Sequence, residues 1–140
     1  MNQQPITVTA TVLAPLAQVW QRWTNPVDIQ AWNQATDDWH TPSAINDLRQ
    51  NGRFSYRMAA RDGSVAFDFA GRYDEVSPNT LIAYTLDDGR KVTVRFLEHG
   101  DSVAITETFE AEQQNSAELQ QAGWQAILNS FKRYVERATG

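Results

Sequence analysis

A single carboxylate, Glu107, is the strongest candidate for chemistry in this sequence. It follows Val103 and Ile105 at every second position and precedes Phe109, so it falls in the apolar phase of a predicted strand. A side chain in that phase faces the core, where the loss of water disfavours the ionised carboxylate. Glu107 is therefore a candidate ligand anchor or general base. The alternatives are a register change at a bulge or pairing with a neighbouring arginine.

The other titratable side chains suggest less. His40 and His99 are far apart in the chain and do not have metal-ligand spacing, although His40 stays a candidate acid or base near the expected site. Arg57, Asp68 and Arg95 lie in the opposite phase of their strands and are predicted to be solvated charges.

Known catalytic and cofactor signatures are missing from the sequence. There is no Gly-x-Ser-x-Gly element, cysteine nucleophile, P-loop or dinucleotide-binding motif. Asp87-Asp88-Gly89 is too short for a calcium loop and is predicted to be a hairpin turn. Neither a metal nor a cofactor is implied, and no residue is assigned a catalytic role.

One long C-terminal helix is predicted to cover the candidate residues. Asn115 and Glu118 have the spacing of a capping box, and no proline interrupts the chain from Ser116 to Ala138. Such a helix is about 34 Å long at ~1.5 Å per residue, which spans a small domain. Its apolar stripe contains Trp124, Ile127, Leu128, Phe131, Tyr134 and Val135.

The rest of the chain has the pattern of short antiparallel strands, interrupted once. Ile6 to Leu13 alternates as a half-buried strand does. Pro15 is expected to begin a short helix, and Asn25-Pro26 to separate it from a second helix at Val27 to Trp32. About six strands joined by short turns follow, and Gly71 predicts a bulge or bend that curls the sheet. The fold class is α+β: a curved antiparallel sheet of about seven strands wrapped on the long C-terminal helix.

Composition sets limits on function. The 140 residues fit one domain, 1–140, and 41% hydrophobic and 11% aromatic residues supply a core. The net charge of −5 disfavours nucleic acid as a partner, and the absence of cysteine excludes disulfides and thiolate metal sites. Met1 to Ile6 lacks the regions of a signal peptide, and no stretch approaches a membrane span of ~20 apolar residues. A cytoplasmic protein is expected.

Short motifs spread along nearly the whole chain are specific in their order and spacing. They are Ala14-Pro15, Val19-Trp20, Asn25-Pro26, Trp32, Asp47-Leu48-Arg49, Asn51-Gly52-Arg53-Phe54, Tyr56-Arg57-Met58, Asp62-Gly63, Gly71-Arg72-Tyr73 and Gly123-Trp124. With this order of elements the chain resembles the helix-grip fold of the START-like (SRPBCC) superfamily. Within it, the chain resembles the family named after the C-terminal domain of the activator of the heat-shock protein 90 ATPase. That family often has a second tryptophan after Trp32, where this chain has Asn33.

The resemblance implies a cavity between the long helix and the concave sheet, which superfamily members use for lipids, sterols, polyketides and aromatic hormones. Buried aromatic residues are more often plain core, but a helix bridging a strongly curved sheet needs very large side chains to fill the space. The residues expected to bind a ligand are Trp32, Trp39, Tyr56, Phe67, Phe69, Tyr73, Glu107, Trp124, Leu128 and Phe131.

Three hypotheses for function follow. The first is a binding module for a small apolar or aromatic ligand, with a pocket of roughly 300–1,000 Å³. The second is an interaction protein that binds a chaperone and whose interior is filled core. The third is a cyclase or hydratase that uses Glu107 or His40 as acid or base. Either a monomer or a homodimer is compatible with the sequence.

Overall fold

The computed structural model describes residues 5–139, and side chains for residues 5–137. Seven antiparallel strands form one curled sheet in the order β1-β7-β6-β5-β4-β3-β2. The strands are β1 (Ile6–Val12), β2 (Trp39–Asn46), β3 (Arg53–Ala60), β4 (Ala66–Ser77), β5 (Leu81–Leu86), β6 (Lys91–His99) and β7 (Ser102–Phe109). The helices are α1 (Leu16–Thr24), α2 (Pro26–Trp32) and α3 (Ala117–Thr139). The predicted fold class is confirmed, including the strand count, the two short helices after β1 and the long final helix.

Several predicted boundaries were wrong by a few residues. Pro15 is extended (φ −64°, ψ 145°) and precedes α1 rather than beginning it, whereas Pro26 is the first residue of α2. The strand β2 begins at Trp39, although the polar sequence from Gln34 to His40 predicts an irregular segment. The cap of α3 is Ser116, whose Oγ accepts the Leu119 amide at 3.1 Å.

The curl of the sheet depends on a bulge in β4. The register between β4 and β5 shifts between Tyr73 and Glu75, close to the position that Gly71 indicated. At Gly71 itself, a Cβ atom would lie 2.5 Å from the carbonyl oxygen of Thr85 and 3.1 Å from the ring of Phe54. The absence of a side chain there lets the aromatic ring of Phe54 pack directly on the backbone of the neighbouring strand.

Polar side chains of α3 bind the free edge of β1. The carbonyl oxygen of Thr9 accepts a hydrogen bond from Gln125 Nε2 at 2.9 Å, and that of Thr11 accepts one from Lys132 Nζ at 2.6 Å. One turn further along, the Leu13 amide donates to Glu136 Oε2 at 2.9 Å. These contacts satisfy backbone groups that an edge strand would leave open, and they fix the helix along the sheet.

At the opposite edge of the sheet, strand β2 is interrupted by an irregularity. Its register with β3 shifts between His40 and Ser43, and Pro42 in that interval has no amide hydrogen to donate. The carbonyl oxygen of Pro42 accepts Gln30 Nε2 from α2 at 2.7 Å.

Aromatic rings fill the core beneath the short helices. Trp23 lies within 4.8–5.7 Å of the rings of Trp32, Phe96 and Phe131. Trp32 also contacts Phe131 at 4.9 Å, and its indole Nε1 donates to the carbonyl oxygen of Arg22 at 2.9 Å. These rings therefore fill most of this end of the interior. No helix among residues 5–139 combines the length and the hydropathy that a membrane span requires.

Candidate functional site

A cleft of about 320 Å³, partly open to solvent, lies between the first half of α3 and the concave side of the sheet. Helix α3 contributes one wall, strands β3, β4 and β7 contribute the other, and the loop between β7 and α3 forms part of the rim. The lining residues are Asn33, Met58, Phe67, Phe69, Arg90, Glu107, Glu112, Asn115, Gln120, Gly123, Trp124 and Ile127.

Glu107 projects from β7 into this cleft. The ladder places it beside Val94 of β6 and Val8 of β1, both fully buried, and its own side chain is only 7% exposed. The predicted inward phase is therefore correct. Within the described part of the chain, no side chain or backbone group hydrogen-bonds or ion-pairs with its carboxyl group. The alternative of pairing with an arginine is not realised.

Burial changes the acidity of this carboxyl group. Loss of water raises the pKa of Glu107 from 4.5 to about 8, because the charged form has no compensating partner. At neutral pH the folded protein therefore holds Glu107 mainly as a neutral acid, which can donate one hydrogen bond and accept others. The same carboxyl group contributes to raising the pKa of Tyr84, after desolvation, which is the larger cause.

The apolar wall is held in place by ring contacts. The indole of Trp124 stacks on Phe109, with centroids 3.9 Å apart and an angle of 11° between the planes, and meets Phe69 edge-on at 5.9 Å. Phe67 lies at the mouth, is 45% exposed and contacts Trp39 at 6.0 Å. These contacts fix the position of Trp124 on one side of the cleft.

Gly123 provides space beside Trp124. A Cβ atom at this position would meet nothing within 4 Å, so the helix does not need glycine for packing at this point. The open space next to Gly123 belongs to the cleft that it lines.

The rim formed by the β7–α3 loop is held by hydrogen bonds of its own. Buried Gln120 accepts the Glu112 amide at 2.8 Å and donates to the carbonyl oxygens of Glu112 and Asn115. Glu112 Oε1 in turn accepts the amide and side-chain nitrogens of Asn115 at 2.6 and 2.8 Å. One oxygen of the Glu112 carboxylate thus helps to shape the loop.

Arg90 supplies the positive charge of the cleft. It belongs to the turn between β5 and β6, and its Nε donates to Asp88 Oδ2 at 2.8 Å. Its side chain is 23% exposed. No residue of the described chain accepts a hydrogen bond from its two Nη atoms.

A second, smaller cavity of about 40 Å³ lies deeper, among Trp23, Trp32, Asn33, Phe54, Tyr56, Phe69, Tyr73, Ile82 and Tyr84. Tyr73 Oη donates to Asn46 Oδ1 at 2.6 Å. Burial is the main cause that raises the pKa of Tyr56, and the neighbouring Tyr73 adds to it. Desolvation is the main cause that raises the pKa of Tyr73 to about 12. The tyrosines therefore line the small cavity rather than the larger cleft, and the Tyr73 hydroxyl binds Asn46, although Asn33 and Phe69 line both spaces.

The structure separates the predicted site residues into three groups. Phe67, Phe69, Glu107 and Trp124 line the larger cleft. Trp32, Tyr56 and Tyr73 line the small cavity, and Trp39 contacts the cleft only through Phe67. Leu128 and Phe131 are fully buried and line neither space.

Some lining residues escaped the sequence reasoning. Met58 belongs to the motif Tyr56-Arg57-Met58 but was not expected to line the site, whereas Gln120 and Arg90 carried no motif. Arg90 sits in a turn, where no periodicity predicts the direction of the side chain. The difference at Asn33 was a usable signal, because this residue borders both spaces. His40, the candidate acid or base, is half-buried on β2 and is not part of the cleft lining.

The geometry supports binding more directly than catalysis. An apolar cleft with a neutral acid and a guanidinium can orient a small molecule. A search for three or more histidine, aspartate or glutamate side chains able to hold a metal ion finds none within the described chain.

Comparison with known proteins places this geometry in a family. The sequence model of the family described as "Activator of Hsp90 ATPase homolog 1-like protein" matches residues 13–136. No curated protein matches the chain.

Solved structures give the same result. The solution structure of an AHSA1-like protein from Aeromonas hydrophila is 43% identical, with a TM-score of 0.91, covering 97% of this chain and 94% of that one. The solution structure of a protein from Cytophaga hutchinsonii is 52% identical, with a TM-score of 0.83, covering 96% and 93%. A crystal structure from Chromobacterium violaceum, 21% identical, has a TM-score of 0.83 over 96% of this chain and 99% of that one, and shows the fold alone.

Proposed function

Since the chain belongs to the activator of Hsp90 ATPase homolog 1-like family, we propose that it binds a small apolar or aromatic molecule in the cleft between α3 and the sheet. The observation that carries this proposal is Glu107. Its carboxyl group is almost fully buried, lines the cleft and has no partner within the described residues, and desolvation disfavours its charged form. A ligand bearing a hydrogen-bonding group would supply that partner.

The cleft has the size and the chemistry for such a ligand. Its volume of about 320 Å³ is at the lower end of the range for small-molecule sites. Trp124, Phe69 and Ile127 provide apolar contact area, and Glu107 provides the orienting polar group. Ring contacts and the hydrogen-bonded rim hold these walls in place, so a ligand pays little entropy to organise them.

A ligand screen with a blocked variant tests the proposal. The wild-type protein, Gly123→Phe and the matched control Ala122→Phe are screened by thermal shift against fatty acids, flavonoids and polyketide-like aromatic compounds. Gly123 lines the cleft, whereas Ala122 is exposed on α3. A ligand at 100 times its Kd stabilises the folded state by about 2.7 kcal/mol. We expect that shift in wild type and Ala122→Phe but not in Gly123→Phe.

Two outcomes would contradict the proposal. One is a screen in which no compound stabilises the wild-type protein. The other is a stabilising compound that shifts Gly123→Phe as much as wild type, which would place binding outside the cleft.

A second candidate function is an interaction with a chaperone, which is supported by two exposed apolar side chains. Val65 and Phe67, on the hairpin between β3 and β4, are 48% and 45% exposed. Phe67 also lines the cleft, so Val65→Ser is the discriminating variant. Weaker binding of Val65→Ser to a purified Hsp90-type ATPase, measured by calorimetry, would favour this candidate. Absence of any binding by the wild-type protein would exclude it for that chaperone.

A further inference from the structure

The charged and acidic side chains around the cleft differ in how many of their polar atoms have hydrogen-bond partners. Three charged or acidic side chains line it: Arg90, Glu107 and Glu112. Oε1 of Glu112 accepts two hydrogen bonds from Asn115, which leave this rim carboxylate charged, and Nε of Arg90 donates to Asp88. The Nη atoms of Arg90 and the whole carboxyl group of Glu107 have no hydrogen-bond partner within residues 5–139. The cleft therefore has one cation and one buried acid without a partner, and a rim carboxylate that is hydrogen-bonded through one of its oxygens.

The other surrounding elements contribute no further charge. Helix α3 presents Gln120, Gly123, Trp124 and Ile127, and strands β3 and β4 present Met58, Phe67 and Phe69. Asn33 follows α2, and Val8 and Val94 flank Glu107 on the neighbouring strands. Tyr84 of β5 also interacts with Glu107, and burial raises the pKa of its phenol, so it is neutral at neutral pH.

This distribution selects among ligand charges. A cationic ligand would meet the guanidinium of Arg90; it could pair with Glu112 at the rim, but with Glu107 only if that buried acid ionised. A neutral ligand would leave the Nη atoms of Arg90 unused. A carboxylate matches both groups, because it accepts two parallel bonds from a guanidinium and can also accept a hydrogen bond from a neutral carboxylic acid.

We propose that the ligand of this cleft is an organic acid, whose apolar body packs on Trp124, Phe69 and Ile127 and whose carboxylate binds Arg90 and accepts a hydrogen bond from Glu107. This inference rests on the proposed binding function and narrows it to one class of ligand. The raised pKa of Glu107 supports it, since the group can donate a hydrogen bond only while protonated.

Matched acid and amide probes test the charge preference. The probes are 2-naphthoate, cinnamate and decanoate, each paired with its primary amide, and 2-(aminomethyl)naphthalene as the cation. Affinities are measured by calorimetry at pH 6.5 for wild type, Arg90→Gln, Arg90→Lys and the control Arg95→Gln. Arg95 is exposed on β6 and does not line the cleft. The naphthyl, cinnamyl and alkyl pairs also distinguish an aromatic from a fatty acid.

We expect each acid that binds to be about tenfold tighter than its amide in wild type and in Arg95→Gln, because the bond to Arg90 is charge-assisted. Arg90→Gln should abolish the difference between acid and amide, and Arg90→Lys should keep part of it. The cation should bind most weakly. Thermal unfolding of each variant establishes that it is folded at the measuring temperature.

The pH dependence gives a second readout that does not depend on Arg90. Between pH 6.5 and pH 9 the affinity of wild type for an acid should fall about tenfold, since Glu107 ionises and then repels the carboxylate. Glu107→Gln, which cannot ionise, should show no such fall.

The outcomes separate this inference from the proposed function. If amides bind as tightly as acids and Arg90→Gln weakens neither, the acid preference is wrong and the binding function stands. If acids bind more tightly but Glu107→Gln retains the full pH dependence, the contact with Glu107 is wrong. If no acid, amide or cation binds wild type, both proposals fail together.

Discussion

The indole ring of Trp124 lies parallel to the phenyl ring of Phe109, with ring centroids 3.9 Å apart. Phe109 is fully buried at the end of β7, two residues beyond Glu107, so it anchors the indole at a fixed point of the sheet. Because Trp124 is held there, it does not fill the space next to Gly123. The cleft beside Glu107 therefore depends on this one stacked pair.

Truncation of the stacked ring should be costly. Trp124→Ala removes the contacts with Phe109 and Phe69 and leaves a cavity next to the existing cleft, and we expect a loss of about 3 kcal/mol in the free energy of unfolding. Trp124→Phe, which retains a stacking ring, should lose less than half as much. Urea denaturation followed by far-ultraviolet circular dichroism measures both. Equal losses in the two variants would mean that the stacking contact is not the stabilising one.

Replacement of Gly123 by alanine should stabilise the protein. A glycine inside a helix is less favourable than alanine by about 1 kcal/mol, and the added Cβ atom meets nothing within 4 Å. We expect a gain of about 0.5–1 kcal/mol in Gly123→Ala, measured by the same denaturation. A loss of stability would show that the helix closes over this position in solution and that the cleft is smaller than described.

Stability should fall as the pH rises from about 5 to 8. The pKa of Glu107 is about 8 in the folded state and about 4.5 in the unfolded state, so the folded protein binds a proton that the unfolded chain releases in this window. The integrated loss from this group is about 3 kcal/mol over that range. Denaturation midpoints at half-unit pH intervals measure it.

Glu107→Gln is the control for that pH dependence. The variant keeps the shape of the side chain, and both proteins contain His40 and His99, so the difference between the two curves isolates the carboxyl group. We expect the variant to be the more stable protein at pH 8. Parallel curves for the two proteins would mean that Glu107 is solvated or paired in solution.

The contribution of the hydrogen bonds between α3 side chains and the β1 backbone should be measurable by hydrogen exchange. Lys132→Met removes the bond from Nζ to the carbonyl oxygen of Thr11 and the ion pair with Glu136, and we expect a loss of about 1 kcal/mol with faster exchange of β1 amides. Arg133→Met, at an exposed neighbouring position, is the control and should change neither quantity. Unchanged exchange in Lys132→Met would show that these contacts of Lys132 do not stabilise β1 in water.

Much of this fold follows from the spacing of apolar residues in the sequence and from its turn and cap residues. The two-residue alternation of Val103, Ile105, Glu107 and Phe109 was sufficient to place Glu107 inside, because a strand in regular register has one buried face. The stripe on α3 likewise gave the face that packs on the sheet. Boundaries were less predictable: both Asn115 and Ser116 are good caps, and only tertiary contacts decide between them.

The site was less predictable than the fold, for a physical reason. Whether a ring encloses space or fills it depends on its neighbours across the sheet, and these are distant in sequence. Phe131 and Trp124 lie on the same stripe of α3, yet Phe131 is enclosed by Trp23 and Trp32 while Trp124 borders the cleft. Arg90 lies in a turn, where no repeat fixes the direction of a side chain.

The treatment of the two sheet edges has a consequence for how copies of this chain can meet. Backbone pairing between molecules needs a run of free donors and acceptors on an edge strand. On β1, backbone groups are bound by Gln125, Lys132 and Glu136 of α3, and β2 is interrupted at Pro42. Two copies that associate would therefore meet through side-chain faces, which leaves the seven-stranded sheet as a closed unit. At high protein concentration the chain should therefore not form fibrils by edge-to-edge pairing of strands from different molecules.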